Sequence, residues 1–220
     1  MLRRHTLILA VALLVAACGS AATPPPSPDA ASSRATSSPA ASPSASPVPT
    51  PDAAATLSTA LDALRTAYSF DATVTVGKTV ATKATGRWVG GTSEVVVDQG
   101  DSTVTYRSIP PDAWIKEPDG TWVALDGDVP GGDPLDALRS PSSVKVTAVD
   151  ASGVSLAAMY PASALGLAGP KAVKVVLRVG SNGSVTASYS TQTSSGTATS
   201  ETVMRPVTGA SPYPAPSLGG

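Results

Sequence analysis

The stretch KAVKVVLRV, residues 171–179, places an apolar side chain at every second position. The side chains on that one face are those of Val173, Val175, Leu177 and Val179. A period of two is typical of a β-strand that buries one face. A Ser-Asn-Gly turn signal follows at 181–183, and a second alternating run covers 184–193. The sequence therefore predicts two antiparallel strands here, and the same pattern extends along the chain.

Strands of this kind account for most of the chain between residues 69 and 207. The predicted strands are 69–76, 80–89, 93–98, 102–108, 112–116, 121–125, 143–150, 153–160, 171–179, 184–193 and 197–207. Turns rich in glycine and proline separate them, and neither a parallel βαβ pattern nor a long internal repeat is visible. We therefore expect an α+β fold that is mostly β, with about ten antiparallel strands in a meandering sheet.

The run EPDG at 117–120 is a strong turn signal, because proline fixes φ and glycine supplies a positive φ. If Glu117 pairs with Thr121, then Trp114 and Trp122 share one face of a hairpin. The opposite face then carries Ala113, Ile115, Val123 and Leu125. Apolar groups on both faces predict a sheet that is covered, at least in part, on both sides.

An amphipathic helix is predicted ahead of the sheet, over residues 52–68, with Asp52 as its N-cap. Its apolar residues recur at spacings of four, three and four, which makes one stripe on a helix. These residues are Leu57, Leu61, Leu64 and Tyr68. The stripe fits a helix packed on the sheet, and it also fits a helix that lines or lids a lipid pocket. A shorter helix is predicted over 134–139, with Asp133 as its cap.

The N-terminus has the pattern of a secretory signal peptide over residues 1–17. Two arginines precede an apolar run of about a dozen residues, which is too short to span a bilayer. The run ends in Val-Ala-Ala and then Cys18, which is the single cysteine of the chain. This ending resembles the lipobox of bacterial lipoproteins, in which the cysteine receives a diacylglycerol and often a further acyl chain such as palmitate. The alternative is an ordinary secreted protein, whose lone cysteine would have no disulfide partner.

Composition divides the remaining chain into three parts. Residues 19–51 are low in complexity and dominated by Ala, Ser, Thr and Pro, which predicts a disordered tether behind Cys18. Residues 52–207 form the predicted domain, and residues 208–220 are a flexible tail rich in proline and glycine. The tether would hold the domain away from the membrane to which the lipid attaches it.

The mature chain offers few groups for catalysis. Cleavage before Cys18 removes the single histidine, His5, and lipidation removes the single thiol, which excludes Ser-His-Asp and Cys-His catalysis and the usual zinc sites. Cleavage also removes two arginines and no acid, so the formal charge falls from -1 to -3, far from the basic balance of nucleic-acid-binding proteins. We expect no cofactor and no metal. Calcium at Asp126, Asp128 and Asp133 lacks a defensible spacing, and a hydrolase would need a buried carboxylate of raised pKa in a cleft.

The order of these features resembles the LolA/LppX-type lipoprotein carriers of bacterial envelopes. The matching features are Cys18, the tether, the leading helix 53–68, the strand entry at 68–70, the hairpin at 114–123 and the short helix at 133–138. The resemblance covers about residues 52–207. It implies a curved antiparallel half-barrel, with the long N-terminal helix and short helices on the concave face, and an apolar cavity between them. The candidate cavity residues are Leu57, Leu61, Leu64, Tyr68, Val74, Val76, Trp114, Trp122, Val175 and Leu177.

We therefore expect a monomeric, non-enzymatic lipoprotein, anchored by Cys18 to the outer face of the bacterial cell membrane. Its expected ligand is an acylated lipid, a glycolipid or a lipoprotein, held between helix and sheet. The alternative is a lipid-anchored module that binds a protein partner, such as a sensor, and takes no lipid ligand.

The anchor yields a first prediction. Cys18→Ala removes the thiol that accepts the lipid, so the variant should be released into the medium or accumulate uncleaved. Fractionation of cells followed by immunoblotting measures both outcomes. A variant that stays in the membrane and is correctly cleaved contradicts the lipobox assignment.

Overall fold

The computed structural model describes residues 50–126, 133–167 and 171–218. Its helices and strands, in chain order, are α1 Ala53–Leu64, β1 Ala67–Val76, β2 Thr79–Val89, β3 Thr92–Asp98, β4 Thr103–Ile109, β5 Asp112–Lys116, β6 Trp122–Ala124, α2 Pro134–Ala137, β7 Ser143–Asp150, β8 Gly153–Pro161, a 3₁₀ turn Ala162–Leu165, β9 Ala172–Gly180, β10 Val185–Thr193 and β11 Gly196–Pro206. Within these described ranges, neither helix has the length and apolar character needed to cross a membrane.

All eleven strands belong to one antiparallel sheet, in the order β6-β5-β4-β3-β2-β1-β11-β10-β9-β8-β7. The chain therefore starts in the middle of the sheet, moves strand by strand to one edge, and returns from the opposite edge to the middle. Strands β6 and β7 lie at the two edges and do not pair with each other, so the sheet is open. The connection between them contains α2. The predicted class, mostly β with a single antiparallel sheet, is confirmed.

The pleat of the strands gives the sheet two different faces. On one face, which we call the helix-covered face, Phe70 of β1 lies between Gly86 of β2 and Met204 of β11. The buried core on this face includes Tyr68, Val95, Leu156, Ala158, Tyr160, Val175, Leu177, Val185 and Ala187. The opposite face, which we call the outer face, carries mostly polar and charged side chains, such as Asp71 and Arg205 of two neighbouring strands.

Helix α1 packs on the helix-covered face, where it contacts β7, β9 and β11. Its first turn is capped by Asp52, whose Oδ1 accepts a hydrogen bond from the Ala55 amide at 2.7 Å. A helix of twelve residues is marginal alone in water, so α1 depends on the sheet. The buried side chains of Leu57, Leu61 and Leu64 hold the helix on the sheet. Burial of each leucine stabilises this packing by roughly 1.5–3 kcal/mol.

The predicted extension of this helix to residue 68 is wrong. The helix ends at Leu64, and the Arg65 amide donates to the Asp62 carbonyl at 3.2 Å in a tightened last turn. Tyr68 belongs instead to β1, where it pairs with Trp88 and Pro206. The spacing of four residues between Leu64 and Tyr68 fits the apolar stripe of a helix. The same spacing arises here because Tyr68 is a strand residue that is buried in the same core as the helix.

The hairpin at 117–120 has the predicted register. The Glu117 amide donates to the Thr121 carbonyl at 2.8 Å, and Lys116 pairs with Trp122 across β5 and β6. Trp114 lies opposite Ala124 in the same ladder, so the two tryptophans share a face as predicted. That face is the outer face, because Trp114 also pairs with Arg107 and not with Tyr106 of the core side.

The packing around Gly86 gives a second prediction. A Cβ atom at this position would lie 2.6 Å from Phe70 Cε1 and 2.9 Å from the Glu94 carbonyl oxygen, which belongs to the neighbouring backbone. Gly86→Ala should therefore lower the free energy of unfolding by roughly 1–3 kcal/mol, as expected for overpacking. Urea denaturation measures it, with the adjacent exposed substitution Thr85→Ala as control. Equal unfolding free energies for Gly86→Ala and the control contradict the predicted clash.

Candidate functional site

Six of the ten candidate cavity residues meet between α1 and the sheet. They are Leu57, Leu61, Leu64, Tyr68, Val175 and Leu177, and none is more than 3% exposed. All six belong to one packed hydrophobic cluster. Their side chains therefore fill the space directly beneath the helix and act as core.

The other four candidates lie elsewhere. Val74 and Val76 are on the helix-covered face of β1, half-buried, in the part of the strand farthest from Tyr68. Trp114 and Trp122 are on the outer face. The structure therefore does not bring the two tryptophans together with the leucines of α1.

A cleft of about 270 Å³ runs along one flank of α1, between the helix and β7. Its lining residues are Ala54, Leu57, Ser58, Leu61, Asp62, Arg139, Pro141 and Val144. The floor is apolar, and its charged residues form an ion pair, with Arg139 Nη1 3.6 Å from Asp62 Oδ1. Arg139 is also held by Asp136, through Nε and Oδ1 at 2.9 Å. An apolar groove thus carries a positioned guanidinium.

A second cleft, of about 520 Å³, lies on the opposite flank of the same helix. Its lining residues are Asp52, Ala55, Thr56, Thr59, Ala60, Ala63, Val179, Gly180, Ser181 and Gly183. It is broad and lined by small side chains together with the turn between β9 and β10. Its described lining contains no cationic side chain, which distinguishes it from the first cleft.

The short helix α2 is fixed to the core at both ends. At its start, Asp133 Oδ1 accepts hydrogen bonds from the Leu135 amide, at 2.8 Å, and from the Tyr68 hydroxyl. At its end, the Tyr160 hydroxyl donates to the Leu138 carbonyl at 3.0 Å. Burial raises the pKa of Tyr160 to about 12 and, together with the Asp133 carboxylate, raises that of Tyr68 even further. Both phenols therefore stay protonated and act as fixed donors.

Asp133 is the carboxyl group that comes nearest to the expectation for a hydrolase. Burial raises its pKa, against the lowering effect of the Tyr68 and Leu135 hydrogen bonds. However, Asp133 lines neither of the two clefts, and one of its oxygens is occupied by the two hydrogen bonds that hold α2. In the described ranges no three His, Cys, Asp or Glu side chains gather into a metal-binding group, and Asp128 lies outside those ranges.

Sequence reasoning missed a cluster of charged and aromatic residues on the outer face. Arg87, Glu94 and Arg107 lie side by side on β2, β3 and β4, and the ring of Tyr213 contacts both arginines. Trp122 lies under the Arg107 guanidinium at 4.7 Å. The hairpin registers could have placed the three charged residues in a row, but no local pattern connects them with Tyr213.

Comparison with known proteins adds no family assignment: no protein-family model matches the chain, and no curated protein matches it. The function is therefore argued from the residues themselves.

The environment of Asp133 predicts a pH effect on stability. Because the folded state raises the pKa of this carboxyl above its ordinary value of 3.8, folding favours the protonated form. Stability should therefore fall as the pH rises from below 3.8 through the raised folded pKa. Asp133→Asn keeps the Oδ1 acceptor but cannot ionise, so it should lose this part of the pH dependence.

Urea unfolding of the wild type and of Asp133→Asn at pH 3 and pH 7 tests this. The stability difference between them should shift in favour of the variant at pH 7. As a control, Asp133→Ala removes the acceptor as well as the charge, so it should be less stable than Asp133→Asn by about 0.5–2 kcal/mol at either pH. Parallel pH profiles for the wild type and Asp133→Asn contradict the prediction.

Proposed function

We propose that this protein is a non-enzymatic lipoprotein of the bacterial envelope that holds an acyl chain of a lipid, glycolipid or lipoprotein beside α1. The observation that carries the proposal is the first cleft, in which Leu57, Leu61 and Val144 form an apolar floor and Arg139 stands at the polar rim. This combination suits an amphiphile, whose tail needs apolar surface and whose polar head needs a hydrogen-bond donor.

The packed core defines how such a ligand is accommodated. The leucines of α1 already fill the space beneath the helix, so the acyl chain lies along the flank of the helix and not below it. Ala54 and Ser58 are small and exposed, which leaves the cleft open to solvent along one side. The ligand would thus pack against side chains that also belong to the core.

The resemblance to LolA/LppX-type carriers is part of the proposal. An open antiparallel sheet of eleven twisted strands tends to curl, because strongly twisted open sheets rarely exceed about ten strands without curling. This tendency supports the proposal of a curved half-barrel with its helices on the concave face. Leu135 of α2 and Leu138, which directly follows that helix, belong to the same core cluster as the leucines of α1, which supports placing both helices on that face.

The anchor completes the proposal. Lipidated Cys18 attaches the chain to the outer face of the cell membrane, and residues 19–51 connect it to α1. Both lie largely outside the described residues, so their role rests on the sequence. The tether would hold the cleft away from the membrane surface but attached to the membrane from which an acylated ligand comes.

Ligand binding is tested by filling one cleft at a time. Ser58→Trp introduces an indole at the first cleft, and Thr59→Trp introduces the same group at the second, from the neighbouring exposed position. We expect Ser58→Trp to weaken binding of a fluorescent long-chain fatty acid at least tenfold, while Thr59→Trp stays within threefold of the wild type. Fluorescence titration measures the affinities, and native mass spectrometry of protein purified from membranes detects a retained acyl ligand.

Comparison of Ser58→Trp with Thr59→Trp shows which of the two clefts binds the ligand. If Thr59→Trp is the variant that loses binding, then the site is the second cleft and the role of Arg139 is refuted. If the wild type binds no fatty acid and carries no acyl ligand from membranes, the lipid-binding function is wrong. A single stoichiometric protein in cross-linking experiments would then favour the module that binds a protein partner.

A further inference from the structure

The C-terminal segment 207–218, which we call the strap, runs across the outer face of the sheet. It begins where the Val207 amide donates to the Ala67 carbonyl at 3.1 Å, and it reaches the far edge at a single bridge between Leu218 and Trp122. Between these points the Tyr213 amide donates to Thr92 Oγ1 at 2.9 Å. The strap has no regular secondary structure before Leu218, and its predicted flexibility stays a prediction.

Tyr213 makes the central contacts of the strap. Arg87 Nε donates to its hydroxyl at 3.0 Å, and the Arg87 guanidinium carbon lies 5.1 Å from the ring centroid. The guanidinium carbon of Arg107 lies 5.5 Å from the same centroid. The ring therefore lies between two cations at distances typical of cation–π interaction.

Arg107 is held by contacts within the sheet in addition to its contact with the strap. Its Nε donates to Glu94 Oε2 at 3.0 Å, and its guanidinium lies over Trp122 with 4.7 Å between its central carbon and the ring centroid. Arg107 Nη2 also donates to Glu94 Oε2, and Nη1 donates to the Pro214 carbonyl of the strap at 3.1 Å. A guanidinium fixed in this way loses little side-chain entropy when it binds a backbone carbonyl.

The composition of the strap suits this surface. Prolines at 212, 214 and 216 fix φ at their own positions and restrict each preceding residue to extended backbone. The run 211–216 is therefore biased towards extended backbone, which reduces the entropy lost on binding. This is the physical basis on which proline-rich segments dock on aromatic surfaces.

We propose that Arg87, Thr92, Arg107 and Trp122 form a recognition site for an extended, proline-flanked tyrosine segment, and that the strap occupies this site as an intramolecular ligand. The occupant in trans is a segment of a partner protein with the same Pro-Tyr-Pro pattern and an acidic residue beside it. The proposal goes beyond lipid binding, which uses the opposite face of the sheet.

The positive charge of this surface is the reason for expecting an acidic residue in the partner segment. Arg87, Arg107 and Lys116 surround the rings of Tyr213 and Trp122, and the carboxylate that pairs with this group in the described part of the chain is that of Glu94. The strap itself contains no acidic residue in 207–218. A partner segment with one carboxylate would gain an attraction that the strap lacks, and this gain favours the partner in competition with the tethered strap.

The test uses the full-length chain with a weakened strap. Tyr213→Ala removes the ring that the two arginines contact but leaves the surface intact. Calorimetric titration is carried out on the wild type and on Tyr213→Ala with a synthetic peptide of sequence 211–218. We expect the peptide to bind Tyr213→Ala at least tenfold more tightly than the wild type, and a peptide in which Glu replaces Ala215 to bind more tightly still at low salt.

Matched variants define the contrary results. The same peptide with Tyr213→Ala should not bind, and Trp122→Ala combined with Tyr213→Ala in the protein should abolish binding of the unchanged peptide. Equal binding to the wild type and to Tyr213→Ala, or no binding to a folded Tyr213→Ala chain, overturns the proposal. If that variant does not fold, Tyr213→Phe takes its place, since it removes only the hydroxyl bound by Arg87. If sedimentation detects wild-type dimers that exchange their straps, then the ligand in trans is a second copy of this chain. That result would overturn the proposal of a separate partner protein.

Discussion

The antiparallel pairing of β1 with β11 is the interaction on which the rest of the structure depends. It runs from Tyr68 opposite Pro206 to Val76 opposite Ala198, and it joins segments that are more than one hundred residues apart. Without it the chain would be two separate meanders, each with an additional open edge. Closing so long a loop is entropically unfavourable, and the apolar side chains across the junction, such as Phe70 beside Met204, offset that loss. Helix α1 then covers the junction from one side.

Local pattern was sufficient to predict the strands and the hairpins between consecutive strands, but not the pairing of β1 with β11. The alternation in β9 and the turn in the hairpin at 117–120 are properties of adjacent residues, so both could be recognised in the sequence. The central position of β1, by contrast, depends on a partner strand at the other end of the chain, and no local signal specifies it. Tyr68 illustrates the limit, because its spacing from Leu64 fits a helix although its hydrogen bonds belong to a strand. The same limit applies to Trp114 and Trp122. The sequence predicted that they share one face of the hairpin, but not that this face belongs to the outer face of the sheet.

The two faces of the sheet separate two kinds of chemistry. The leucines of α1 predicted as cavity residues belong to the core, and two of them, Leu57 and Leu61, also line the cleft in which small residues of α1 leave room next to Arg139. On the outer face, the row of charged residues could be derived from hairpin register, but its contact with Tyr213 could not. Alternating prolines define the backbone dihedrals of a segment and carry no information about the surface on which it lies. Both candidate sites therefore depend on contacts between elements that are distant in sequence.

The attachment of α1 has a mechanical consequence. If the chain is anchored by a lipid at Cys18, as proposed, any tension between membrane and domain loads α1 before it reaches the sheet. The helix is held to the sheet mainly by the side chains of three leucines, whereas β1 is hydrogen-bonded along its length on both sides. A pulling force would therefore peel the helix away one turn at a time while the sheet remains intact. Helix α1 would act as the compliant element of the molecule, and its detachment would expose the apolar side chains of β9 without unfolding the strands.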